Sequence, residues 1–193
     1  MLSFGRDGET SPLEKCADRR SGRCRMSDVA AKARDFASNA ELFVRWFDRI
    51  VSDETSALNM RSLHEILGVL QAAAARLTGV APGDDSEDTF EFDGPSAAGI
   101  LRRKLPVDAY SAVFDPFEYD PREVDPPKPV MAMISDDLSD IYRNLMEGLV
   151  LFQRGEAQSA LWHWHFTYYA HWGRHLSHAQ SAIWQYLSEG NWS

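Results

Sequence analysis

The sequence predicts an all-α fold: a four-helix, largely up-and-down bundle with a Pro-rich, ornamented connection between helices two and three. Three observations carry this. Apolar residues recur three and four apart over four long stretches, a spacing that gathers them on one helical face. Alternating strand patterns are weak, and TFEFD (89–93) is the only short candidate. Five of the nine prolines crowd residues 116–129, where they exclude a long helix and favour extended or turn backbone.

The first helix is expected over residues 27–51. Ser27 is a plausible N-cap, and Phe36, Ala40, Phe43, Val44, Phe47, Ile50 and Val51 form the stripe. Before it, residues 1–25 are polar and lack helical period. They contain both cysteines, Cys16 and Cys24, and Met26 opens a second plausible start. The expectation is a disordered leader or mis-called start over 1–25, then a single helical domain over 26–193. A Cys-x7-Cys pair without a nearby histidine is a weak metal motif.

The second helix, 57–77, presents Met60, Leu63, Ile66, Leu67, Leu70, Ala73, Ala74 and Leu77, with Gly79 as a stop. The acidic stretch that follows lacks the ligand order of an EF-hand and reads as a solvated loop. A short helix fits 96–104. Tyr110, Phe114, Phe117 and Tyr119 give the Pro-rich connector apolar anchors, so it is expected to pack across the bundle. Ser135 reads as the N-cap of the third helix, with Asp136 and Asp137 in its first turn where the dipole favours anions. Leu138, Ile141, Tyr142, Leu145, Leu149 and Phe152 form its core stripe, and Gly155 ends it. The fourth helix, about 157–187, follows after a few residues and should lie antiparallel to the third.

A chain of 193 residues with 44% hydrophobic residues can build one packed core. The net charge of −9 argues against nucleic acid and anionic membrane as partners, because both require basic surface. No apolar run reaches the roughly 18 residues of a membrane span, and no apolar h-region follows a basic start, so a secretory signal is not expected. A cytoplasmic protein is expected. There is no Gly-rich phosphate loop and no GxSxG elbow.

Residues 162–178, WHWHFTYYAHWGRHLSH, hold five of the six histidines and three of the six tryptophans. On a continuous helical wheel, Leu161, Trp164, Tyr168, Trp172, Leu176, Ala179, Ile183 and Tyr186 share one side. His165 and His175 fall within that face, His171 and His178 at its border, and His163 and Arg174 outward. His171, His175 and His178, at i, i+4 and i+7, can present imidazoles to one metal ion. Asp137, Asp140 and Asn144 lie along one edge of the third helix, where a carboxylate can meet His175 or Arg174. Bundles build metal sites from facing acids and histidines, although the Glu-x-x-His pair and HExxH are both absent. The structural alternative makes His175 a core histidine bonded to an acid, Asp136 and Asp137 capping charges, and Asp140 a partner of Arg143 or Asn144.

Three segments in order, AVFDP (112–116), DDLSDIYRNLMEGL (136–149) and W-x-W with HWGRH (162–164 and 171–175), resemble DUF5063, a bacterial family of small helical proteins without an established activity. The resemblance covers about residues 40–187. It implies a compact α-helical domain beginning near Met26, with Cys16 and Cys24 outside it. The residues matching its motifs are Asp136, Asp137, Asp140, Tyr142, Arg143, His171, Trp172, Gly173, Arg174 and His175.

These readings predict a non-enzymatic module that binds a protein partner or assembles a complex. Asp136, Asp137, Asp140, Tyr142, Arg143, Trp172, Arg174 and His175 are then its contact surface or a structural polar network, and no cofactor is expected. Two alternatives stand beside it. One is a hydrolase-like, metal-dependent enzyme with His171, His175, Asp137 and Asp140 as ligands of a divalent metal. The other is a small-ligand pocket between helices three and four, gated by Trp172. Gly173 costs about 1 kcal/mol in a helix interior, so it is expected where another segment, the AVFDP connector, approaches closely.

Overall fold

The computed structural model describes the backbone of residues 12–53, 55–83, 91–112 and 130–191, and side chains from Asp28 onward. The chain is mostly helical, as expected, with six α-helices among the described residues and one small sheet. Helix α1, Pro12–Ser52, begins well ahead of Ser27; no proline interrupts it after Pro12. Its buried stripe is Ala33, Phe36, Ala37, Ala40, Phe43, Val44, Phe47 and Ile50. Helix α2, Met60–Ala75, starts three residues later than its apolar pattern suggests. The reason is a local cap: Asn59 Oδ1 accepts from Ser62 N–H at 2.9 Å.

Helix α3, Gly94–Lys104, is capped by Asp93, whose carboxylate accepts from Ser96 N–H, and has proline at its start. The strand suggested for TFEFD is not found in its described part. Residues 91–93 are irregular, Asp93 serves as the cap, and the Phe92 ring packs on Phe47 and Tyr142. Thr89 and Phe90 lie outside the described residues. The sheet instead joins β1, Ala109–Ala112, antiparallel to β2, Val130–Met133, with Ala109 opposite Met133 and Ala112 opposite Val130. These strands bracket the Pro-rich connector, whose residues 113–129 lie outside those described.

Helix α4, Ile134–Gln153, is the central element. It packs against α1, α3, and the two helices that replace the predicted fourth: α5, Ala157–Thr167, and α6, Gly173–Ser188. Ser135 is not the N-cap of α4. The capping position is Met133, which supplies no side-chain bond, and Asp108 takes over from outside the helix. Asp108 O accepts from Ile134 N–H at 2.9 Å, its Oδ1 from Ser135 N–H at 2.7 Å, and its Oδ2 from the Ser135 hydroxyl at 2.9 Å. One residue thus satisfies two of the orphan donors of α4 and ties its start to β1.

The expected continuous fourth helix is interrupted by a π-turn, Tyr168–Trp172. Gly173 N–H donates to Tyr168 O, five residues back. A π-turn inserts one residue and turns the following face by about 100°. Ala160, Leu161 and Trp164 therefore bury one side of α5, while Trp172, Leu176, Ala179 and Ile183 bury a different side of the uninterrupted wheel. The wheel placed His163 outward for this reason. In the structure His163 Nε2 lies 3.1 Å from Asn144 O and 3.3 Å from Glu147 Oε2, facing α4.

Gly173 is buried, as a close approach requires, but the neighbour is its own π-turn. An added Cβ would lie 2.4 Å from Tyr168 O. The α4–α5 contact is close at Gly148, over which the buried Trp164 indole lies and donates to Leu145 O at 3.2 Å. Among the described residues, no helix is long and apolar enough to cross a membrane.

Candidate functional site

Three turns of α4 place Asp137, Asp140 and Asn144 along the edge that faces α6 and the π-turn. Asp137 is buried, and both of its carboxylate oxygens are engaged. Oδ1 lies 2.7 Å from His175 Nδ1, and Oδ2 accepts from the Tyr110 hydroxyl, delivered by β1. Burial, then the hydrogen bond and charge of Asp137, push the Tyr110 phenol above its ordinary range, so it remains a donor. With Nδ1 committed to Asp137, His175 turns Nε2 toward Asp140 Oδ2, 3.7 Å away.

The His171 ring lies 4.8 Å from that of His175, centroid to centroid. Asn144 Nδ2 donates to Asp140 O at 2.8 Å and lies 3.1 Å from His171 Nδ1. An amide nitrogen has no lone pair to offer, so His171 Nδ1 accepts and the neutral ring keeps its proton on Nε2. Burial chiefly holds the His171 pKa below the ordinary imidazole value, and the neighbouring His175 adds to this. Asp140, His171 and His175 are half-buried and offer one ligand atom each within 4.8 Å of one another. They form a possible metal-binding triad. Asp137, grouped with them on sequence, stands behind His175 and holds its far nitrogen.

The other predicted residues lie outside the triad itself. Asp136 is exposed, 3.7 Å from Arg102 Nη2, and burial raises its pKa more than Arg102 lowers it. Tyr142 is a link to α1: its hydroxyl donates to Asp48 Oδ1 at 2.8 Å and its ring stacks on Phe47 at 4.2 Å. Arg143 reaches Asp140 at 3.8 Å, and Arg174 is exposed. Trp172 does not gate a pocket between α4 and α6. It is wholly buried, packed on Tyr168 and Phe36, and its Nε1 has no hydrogen-bond partner among the described residues.

The cleft lies elsewhere. An open groove of about 410 Å³ runs between β1 and α6, lined by Val107, Tyr110, Ala112, His178, Ser181 and Tyr186. Sequence reasoning missed Tyr110 and Asp108 as members of the polar network. Both lie 27 residues from their partners in α4, and no local pattern marks such a pairing.

Fold and site together define a small α-helical domain whose two longest-range polar contacts to Asp137 join a strand, a central helix and a histidine-bearing helix. The chain belongs to the family described as a domain of unknown function (DUF5063), whose family model matches residues 27–188. It is similar in fold to the crystal structure of protein BF1032 from Bacteroides fragilis, a structural-genomics target. The two share 21% identity over 77% of this chain and 87% of that one, with a TM-score of 0.59. No curated protein matches the chain.

Proposed function

We propose that residues 26–193 form a cytoplasmic protein-interaction module that takes a segment of a protein partner on the aromatic face of α5 and the adjoining π-turn. The observation that carries this reading is a ladder of rings left uncovered there. The sequence of α5, AQSALWHWHFT, has no acidic residue, lysine or arginine and is apolar on more than one side. Leu161 and Trp164 fill the core, while Phe166 and Tyr169 are 55% and 67% exposed. An all-round apolar helix is ordinarily buried on all sides, and clustered exposed rings mark interaction surface.

The rings of the ladder already contact one another. Trp162 stacks on Phe166 at 5.6 Å, His165 meets Trp162 at 6.0 Å and Tyr169 at 5.2 Å, and Tyr169 abuts Tyr168 at 5.1 Å. Rings held this way lose little entropy on binding. A net charge of −9 favours a partner segment bearing arginine or lysine, whose cations also stack on aromatic faces.

The test is a Phe166→Ala, Tyr169→Ala double variant. A partner identified from the native host is purified and titrated against both forms. At least tenfold weaker binding, with an unchanged melting curve, supports the reading. Equal affinity overturns it. Concentration-dependent self-association abolished by the same variant assigns the ladder to a second copy of this chain and overturns the heterologous partner.

A further inference from the structure

We propose that Asp140, His171 and His175 bind one divalent transition-metal ion between α4 and the π-turn of the α5–α6 segment, with Asp137 and Tyr110 as the groups that orient His175. The site is separate from the aromatic ladder and does not depend on it. Its three donors come from α4, the π-turn and α6, which the fold already holds together, and their ligand atoms lie within 4.8 Å of one another. Around a tetrahedral ion at 2.0–2.2 Å, ligand atoms lie about 3.4 Å apart. The set must therefore close by up to about 1.4 Å, within reach of side-chain rotation in half-buried groups.

The support behind His175 makes the triad more than a chance cluster. A metal-binding histidine ordinarily donates its second ring N–H to a carboxylate, which fixes tautomer and ring plane. His175 already has this arrangement: Nδ1 is 2.7 Å from Asp137 Oδ1 and Nε2 is turned to Asp140. Tyr110 occupies the other oxygen of Asp137, so this carboxylate stays behind the histidine. Two imidazoles and one carboxylate suit zinc, nickel or cobalt better than magnesium or calcium. Three protein ligands leave a fourth position for water. Entry of the ion costs the Asn144–His171 hydrogen bond, which metal–ligand bonding outweighs.

The experiment uses full-length, untagged protein carrying Cys16→Ser and Cys24→Ser, so that thiols do not contribute. After chelator treatment and dialysis it is titrated with zinc chloride by calorimetry and with cobalt chloride by visible absorption. One equivalent with micromolar or tighter affinity is expected. His175→Ala and Asp140→Asn should each weaken binding at least tenfold. Asp137→Asn, which touches no ion, should weaken it 10- to 100-fold. His163→Ala, away from the triad, should leave it unchanged. Absence of saturable binding overturns the proposal, as does equal affinity in a folded Asp140→Asn, His171→Gln double variant. If His175→Ala fails to fold, that double variant, which leaves the Asp137–His175 pair intact, decides the matter alone.

Discussion

Replacing Gly148 with alanine should destabilise the protein, against the ordinary rule for a helix interior. There, glycine to alanine gains about 1 kcal/mol. In α4 the new Cβ would lie 2.1 Å from Trp164 Nε1, 2.4 Å from Cε2 and 2.5 Å from Cδ1. Carbon atoms rest at about 3.5–4.0 Å, so the indole must withdraw by more than about 1 Å. It has nowhere to go. Trp164 has no exposed surface, its ring is 4.8 Å from Phe36 and 6.4 Å from Phe152, and its N–H is committed to Leu145 O. Overpacking costs about 1–3 kcal/mol, and a strained or lost indole hydrogen bond adds about 1 kcal/mol. Set against the helical gain, the net loss is about 1–3 kcal/mol. Urea denaturation followed by circular dichroism measures it as a lower midpoint at unchanged slope. A Gly148→Ala protein as stable as wild type would refute the packing argument. The reasoning further requires Trp164→Leu to be less costly in the Gly148→Ala background than alone, a positive coupling in a double-mutant cycle.

Three other outcomes follow from the same geometry. Gly173→Ala brings a Cβ within 2.4 Å of the Tyr168 carbonyl, and should cost about 1–3 kcal/mol by overpacking, read as a lower melting temperature. Asp108→Ala removes the acceptor of Ser135 N–H and hydroxyl and should cost about 1–2 kcal/mol, the usual loss for an N-cap, with faster amide exchange confined to the first turn of α4. His171 and His178 are held below the usual imidazole pKa, in both chiefly by burial. The unfolded chain therefore takes up protons first as pH falls. The stability contributed by these neutral rings is complete above about pH 6.5 and is lost below it. The melting temperature should drop between neutral and mildly acidic pH, and less so in a His171→Gln, His178→Gln variant.

Of the candidate site, the meeting of His175 with Asp137 and Asp140 was legible in advance. All three lie on the facing edges of two helices whose stripes are written in three-and-four spacing, and short connections make those helices neighbours. The separation of His163 from the outward face was not legible, because a π-turn changes the helical phase without any residue that announces it beforehand. Gly173 hinted at a close approach, but not that its own Tyr168 would be the neighbour. Tyr142 lies in the same motif as the acids, yet its hydroxyl belongs to Asp48 of α1.

The sequence by itself determined the all-α class and the buried stripes of α1, α2 and α4. Each of these depends on residues within about four positions of one another, where periodicity and hydrogen bonding to the nearest backbone act directly. Only the tertiary structure decided the rest. Asp108 caps a helix 26 residues later in the chain, Tyr110 and His175 close on Asp137 from 27 residues before it and 38 after it, and two short strands pair across the Pro-rich connector. Such contacts form when the packed helices bring distant segments together, and burial then makes each polar pairing necessary because an unpaired buried carboxylate or amide is costly.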